Sequence, residues 1–350
     1  MKNYQSDFNR LRTTLFGGQA DRVPLMELAI DLSIKSKFLG RPVLTTKDLV
    51  DFALAAGYDY IRLAPRIDFN PAKIPPKEGF RQTTATGLDQ QRNWHAEGQG
   101  MITSFEDFEN FQWPNLADVN YQSFEEARTV LPDELKIVGQ YGDIFTWVWH
   151  FMGFETFSFA LVEQPELVQA MFQKVGSIVL ELFQTMASFE QVGALFYSDD
   201  IAHKTGLLLA PAFFRKYLFP WLKKMAQLGR DKNIPFIYHS DGKIWPVLDD
   251  LYELGVNAIQ PLEPQAIDIR EVKRQYGQKF CLIGNIDVDL LSRGTPAQIA
   301  KVAQELIRDI GPGGGYCLGS GNTVPAYVPL ENFKAMVEAC WKDGAYMIKN

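Results

Sequence analysis

Apolar residues gather along the chain in eight short runs: Val23–Leu28, Tyr58–Leu63, Lys136–Tyr141, Ala194–Tyr197, Pro235–Tyr238, Ala258–Leu262, Phe280–Ile283 and Gly314–Leu318. Segments with helical spacing separate most of them. Eight strands alternating with helices predict an α/β fold, a single (β/α)8 barrel over residues 1–350. Polar residues stand at or just past the C-terminal ends of the runs: Glu27, Arg62, Asp143, Asp199 with Asp200, His239 with Asp241, Glu263, Asn285 with Asp287, and Asn322. The C-terminal rim of such a barrel is where chemistry takes place. Packing does not account for a ring of polar groups there, so the pattern points to an enzyme whose site is this rim.

The segments between the strands carry ordinary helix signals. Residues 5–16 form an amphipathic stretch ended by Gly17 and Gly18, and residues 31–57 hold a cap at Thr45 or Thr46 and a stop at Gly57. Ser104 and Asp107 make a loose capping pattern before a short helix, and a helix is expected over residues 122–131. A long helix is expected from Pro165 to about Glu190, then helices at Phe214–Arg230, Trp245–Leu254, Ile269–Tyr276, Pro296–Ile310 and Leu330–Met347. Gly255, Gly277 and Gly311 close three of these. Residues 65–103 break the rhythm with a Pro-rich stretch and a hairpin-like excursion. An insertion after the second strand lies on the active-site side, as a lid or pocket wall, or equally as a surface ribbon or dimer contact.

Composition narrows the function classes. The formal net charge is −7 with no basic stripe, which argues against nucleic acid as a partner. No apolar run approaches the length of a membrane span, and the first residues lack the apolar core of a signal peptide. The 3 cysteines, Cys281, Cys317 and Cys340, have no paired spacing, which suggests reduced thiols and a cytoplasmic setting. Gly311-Pro-Gly-Gly-Gly315 precedes its strand and lacks the Lys-Ser/Thr of a phosphate loop, so it reads as a tight turn. The aromatic cluster Phe145, Trp147, Trp149, Phe151 and Phe154 has no interleaved basic residues and reads as core or pocket wall.

His239-Ser240-Asp241-Gly242 is the sharpest local signal. Side chains at i and i+2 of an extended strand point the same way, so His239 and Asp241 can hold a metal together or act as an acid–base pair. The alternative is a buried structural histidine paired with Asp241. Asp199 and Asp200, followed by His203 and Lys204, are adjacent carboxylates that suit proton transfer. One of the pair is expected to be catalytic or ligand-binding and the other structural. Glu263 faces His239 across the barrel mouth, a third metal ligand or a substrate contact. Glu27 has the same choice, against an ion pair with Arg62. Asn285, Asp287 and Asn322 end strands seven and eight as substrate contacts or turn formers. Arg62, Tyr141, Asp143 and His203 complete the expected substrate-binding set.

The segments DRVPLMEL, SDDIAHKTG, LFPWLKKM, YHSDGKIWPVLDDLYELGVNAIQPLEP, YGQKFCLIGNID and GGGYCLGSGNTVP resemble the uroporphyrinogen decarboxylase superfamily over the whole chain, most specifically from Ser198 to Pro329. The resemblance implies a single (β/α)8 barrel and either decarboxylation or zinc-dependent methyl transfer with corrinoid proteins or coenzyme M. Decarboxylases of the family carry an arginine-rich segment, of the kind Met-Arg-Gln-Ala-Gly-Arg, where this chain has Met26-Glu-Leu-Ala-Ile-Asp31. They also carry a Ser-Asp pair where it has Leu63-Ala64-Pro65. Eight carboxylates on a porphyrinogen need compensating cations, so that substrate fits poorly. The methyltransferase branch uses His-x-Cys after strand five and a Cys ending strand eight; the matching positions here are His239, Asp241 and Asn322. The histidine is kept and both thiolates are replaced, a harder set for zinc or another divalent metal, or for none.

The expected function is therefore a methyltransferase-like small-molecule enzyme. His239 and Asp241 with Glu263 hold a metal or polarise a heteroatom, Asp199 or Asp200 handles the proton, and a separate corrinoid protein carries the methyl group. A homodimer follows from the resemblance alone. The alternatives are a cofactor-free decarboxylase, with Arg66 and Arg92 contacting the substrate carboxylate, and a non-catalytic barrel that docks a partner.

Overall fold

The computed structural model describes residues 5–67 and 100–346. Its strands are β1 (Tyr60–Leu63), β2 (Lys136–Gly142), β3 (Val192–Ser198), β4 (Ala202–His203), β5 (Gly206–Leu207), β6 (Phe236–His239), β7 (Ala258–Gln260), β8 (Cys281–Ile286) and β9 (Tyr316–Ser320). Among the described residues, β1-β2-β3-β6-β7-β8-β9 form one parallel sheet in that spatial order, while β4 and β5 pair as a small antiparallel hairpin. The sheet strands are buried almost throughout, as both faces of a parallel barrel wall must be.

The eighth expected strand, Val23–Leu28, takes its place beside β9 without becoming a full strand. Met26 N donates to Leu318 O and Leu318 N to Pro24 O, giving one parallel bridge at Leu25. A second bridge joins Ile30 to Val324. The ladder stops because Pro24 has no N–H and because the Tyr60 hydroxyl takes both the N–H and the C=O of Glu27, each at 2.8 Å. No backbone hydrogen bond joins this segment to β1 among the described residues, so the wall is open between them.

Helices cover the outside. Thr45 makes the capping box of helix Thr46–Ala56, and Ser104 that of Phe105–Asn110. The 31–57 region is two helices, Leu32–Leu39 and Thr46–Ala56, because Gly40 turns into the left-handed conformation and ends the first. The Phe214–Arg230 expectation also divides, into Pro211–Tyr217 and Phe219–Lys232, at Pro220 near the start of the second helix. Pro165–Ser188 packs its apolar stripe on the barrel. The first helix, Phe8–Leu15, plugs the N-terminal end: Phe8 lies against Gly193, and Arg10 binds both Asp21 and the fully buried Asp59. That end is closed, so access to the barrel is from the strand C-termini.

Of the 65–103 insertion, residues 68–99, including Arg92, lie outside the described residues. Its two ends are anchored. Arg66 pairs by backbone with Asn120 and is itself exposed, and Met101 and Ile102 donate to Phe151 O. The three cysteines are free and buried, Cys281 and Cys317 with sulfurs 3.8 Å apart in the barrel wall. No helix among the described residues is long and apolar enough to cross a membrane.

Candidate functional site

The rim of β3 and β6 carries the densest chemistry. β3 ends at Ser198, so Asp199 and Asp200 enter the loop together but part at once. Asp199 is fully buried, and its carboxylate accepts from Phe145 N at 2.6 Å, Thr146 N at 3.0 Å, Thr146 Oγ1 at 2.8 Å and Tyr197 Oη at 2.6 Å. The first two donors are free N–H groups at the start of helix Ile144–Met152, which has no side-chain cap of its own. Burial pushes the Asp199 carboxyl up to about 6 although these hydrogen bonds favour its ionised form. Asp199 thus caps a helix from a neighbouring strand.

Asp200 turns outward to His239. Asp200 Oδ1 and Asp241 Oδ1 lie 3.6 and 3.7 Å from His239 Nε2, and the three ligand atoms fall within 4.8 Å of one another. His239 Nδ1 is in short contact with Gln260 Oε1, and Gln260 Nε2 donates to Asn322 O at 2.9 Å. The amide oxygen can only accept, so Nδ1 carries the hydrogen and the Nε2 lone pair faces the two carboxylates. Asp241 is held in turn: its N–H donates to Asp200 Oδ1 at 2.8 Å, and Asn322 Nδ2 donates to its Oδ2. Its Oδ1 is buried without a hydrogen-bond partner. Burial pushes the Asp241 carboxyl up to about 6, against the pull of His239 and with the added repulsion of Asp200 and Glu263. Three acceptors converging in this way need a cation among them, a metal ion or an imidazolium proton.

These groups line a cavity of about 1250 Å3, large enough for a sizeable small molecule. Among the described residues its wall carries Asp31, Asp143, Asp199, Asp200, Asp241, Glu263, Asp287 and Asp289 against a single lysine, Lys204. Asp143 stands at the end of β2 in the left-handed conformation, φ 69°, with its N–H on Ser198 O. Burial and the charges of Asp199 and Asp200 push its carboxyl well above the usual range, which favours its protonated form at the cavity wall.

The remaining expected residues are distributed around this centre. Glu263 lines the cavity but lies 3.5 Å from Lys204 and outside the three-ligand cluster, where Asp200 stands instead. Glu27 gives its carboxylate to Ser320, and Arg62 donates to Gln140 at 2.6 Å, so the alternative ion pair between them does not form. Asn285 donates to Leu262 O, away from the cavity wall. Asp287 lines the wall and caps helix Val288–Arg293, also accepting from Gln265. Asn322 is at the wall, held on Asp241. Tyr141 is half-buried near Tyr121, and His203 is exposed in the β4–β5 hairpin, where its carbonyl receives Lys243 N; neither lines the cavity. Sequence reasoning passes over Gln260, Ser320 and Lys35. The signal for Gln260 is Pro261, which cannot continue the ladder and so ends β7 on the glutamine rather than at Glu263.

A (β/α)8 barrel with carboxylates and a histidine collected at its C-terminal rim has the layout of the barrel enzymes. The chain belongs to the uroporphyrinogen decarboxylase family, whose sequence signature, uroporphyrinogen decarboxylase (URO-D), matches residues 98–342. Uroporphyrinogen decarboxylase of Coxiella burnetii is 23% identical over 252 residues, 68% of this chain and 67% of that protein. The methylcobamide:CoM methyltransferase MtbA of Methanosarcina acetivorans is 24% identical over 265 residues, 70% of each chain. A methyltransferase from Methanosarcina mazei shares the fold, with a TM-score of 0.69 at 18% identity over 95% of this chain and 97% of that one.

Proposed function

We propose that this chain is a metal-dependent methyltransferase of the family, acting on a small molecule held in the rim cavity and exchanging the methyl group with a corrinoid on a separate protein. The observation that carries the reading is the convergence of Asp200, His239 and Asp241, with the buried Asp241 Oδ1 lacking any other partner. That orphaned oxygen and the fixed His239 tautomer fit a divalent cation, which these three side chains would hold. Bound there, the metal supplies Lewis acidity to a substrate heteroatom. The donor set is nitrogen and oxygen with no thiolate, which matches an oxygen- or nitrogen-bearing substrate better than a soft thiol. A relative bearing the name methylcobamide:CoM methyltransferase supports the corrinoid as the other partner.

The protein's own groups divide the remaining work. Gln260 fixes the ring of His239, and Asn322 fixes Asp241. Asp143 holds a proton at the cavity wall for a leaving group that departs with a lone pair. The acidic wall repels a polycarboxylate such as a porphyrinogen and favours a substrate part that is neutral or cationic. The test is zinc-dependent methylation of cob(I)alamin, kept reduced and followed by absorbance, with a panel of methylated amines and methoxyarenes as donors. Turnover that disappears in His239→Ala and falls at least about 100-fold in Asp143→Asn supports the reading. Equal rates in His239→Ala and the parent protein rule it out.

The second reading is decarboxylation without a cofactor, favoured by one observation: a protonated Asp143 is placed to deliver a proton to a carbanion. It predicts carbon dioxide release that is insensitive to chelators. Its expected carboxylate contact Arg66 is exposed and absent from the cavity wall, and Arg92 lies outside the described residues.

A further inference from the structure

A second cleft, of about 30 Å3, lies where the barrel wall is open, between the 23–30 segment and β1. Lys35 and Arg62 both line it. Arg62 donates to Gln140, and Lys35 sits 5.7 Å from the Phe52 ring centre. Neither makes an ion pair among the described residues. Glu27, also at the cleft, is bound by Ser320 and pushed by burial up to about 8, so it is neutral at pH 7 and does not neutralise them. Burial first and then the Arg62 charge disfavour the charged form of Lys35, and Asp31 only partly offsets this. Apart from the tyrosines Tyr58 and Tyr60, the rest of the lining is apolar, with Leu49, Phe52 and Ile61 among it. Two repelling cations held partly out of water, with Asp31 only partly offsetting their charge among the described residues, are costly, and an anion between them removes that cost.

We propose that the Lys35–Arg62 cleft is a subsite for a carboxylate group. The cleft is small enough to suit a planar carboxylate, and Arg62 offers the forked donors that such a group accepts. Its apolar lining suits an aryl or alkyl carboxylate. The cleft shares Leu28, Ala29 and Ile30 with the wall of the large cavity, so a carboxylate anchored here leaves the body of the molecule on the side of the acidic rim. One anchored acid and a neutral or cationic remainder is the opposite charge pattern to a porphyrinogen. That the anchored molecule is the substrate rests on the reading of the large cavity; the anion site itself does not.

Calorimetric titration of the full chain with benzoate and propionate, against benzamide and propionamide as neutral isosteres, tests the subsite. Both carboxylates bind and raise Tm, and the amides do neither. Arg62→Gln and Lys35→Met each weaken carboxylate binding about tenfold or more. His239→Ala leaves it unchanged. Lys35→Met also raises the Tm of the unliganded protein, because one repelling charge is gone, so this variant decides the matter if Arg62→Gln does not fold. Equal affinity for acid and amide, unchanged carboxylate affinity in Lys35→Met, or loss of binding in His239→Ala alone would overturn the proposal. Zinc titration of the same proteins reports on the rim cluster separately, so failure of one reading is distinguishable from failure of the other.

Discussion

Glu27 and Asp199 are both carboxylates at strand ends, and their surroundings give them opposite states. Glu27 is pushed up to about 8 by burial, against a reference value of 4.5. Between those two values the folded protein keeps a proton that the unfolded chain releases. Stability contributed by this group therefore falls as pH rises from about 4.5 to about 8 and then levels off. Glu27→Gln keeps the neutral form at every pH, so its denaturation curve loses that slope. It should exceed the parent protein by about 1 kcal/mol or more at pH 8.5, and parallel pH curves for the two proteins would contradict this. Asp199 is instead saturated by four donors. Asp199→Ala strands them and should cost about 3 kcal/mol in urea unfolding, while zinc binding persists when the protein is folded. The sequence displays Asp199 and Asp200 as an equivalent pair, because what separates them is a helix terminus 54 residues away in the chain.

The loop after β6 shows how an element aims a site. Gly242 sits at φ +79°, and a Cβ there would come within 2.6 Å of the His203 backbone in the β4–β5 hairpin. Gly242→Ala should push the two loops apart, displace Asp241, and lower zinc affinity measurably by titration; unchanged affinity would mean that the loop does not set the site. Gln260, at the end of β7, fixes the His239 ring from the neighbouring strand, and Gln260→Leu should lower zinc affinity about 10–100-fold. The HSDG turn was legible in the sequence because i and i+2 share a face. The partners Gln260 and Asn322 were less so, since their roles depend on strand order and register. Likewise Glu263 was the obvious acid after strand six, but the ladder ends three residues earlier and Lys204 meets it.

At the scale of the whole molecule, the alternation of apolar runs and helices was enough to read the barrel, because each parallel strand is buried on both faces and each run has a strand's length. The exception was also physical. The first run stays a near-strand because Pro24 and the Tyr60 hydroxyl use up its backbone positions, and the opening they leave is lined by Lys35 and Arg62. No local pattern marks such a gap. With one end closed by helix Phe8–Leu15 and the other lined by eight carboxylates among the described residues, the fold concentrates negative charge around the His239 cluster. The most direct measurement is the metal content of tag-free protein after zinc reconstitution, by elemental analysis, for the parent chain, His239→Ala, Asp241→Asn and Glu263→Gln. A site built from Asp200, His239 and Asp241 predicts one zinc per chain, lost in the first two variants and kept in Glu263→Gln. Protein that stays metal-free after reconstitution, or His239→Ala that retains its zinc, would contradict it.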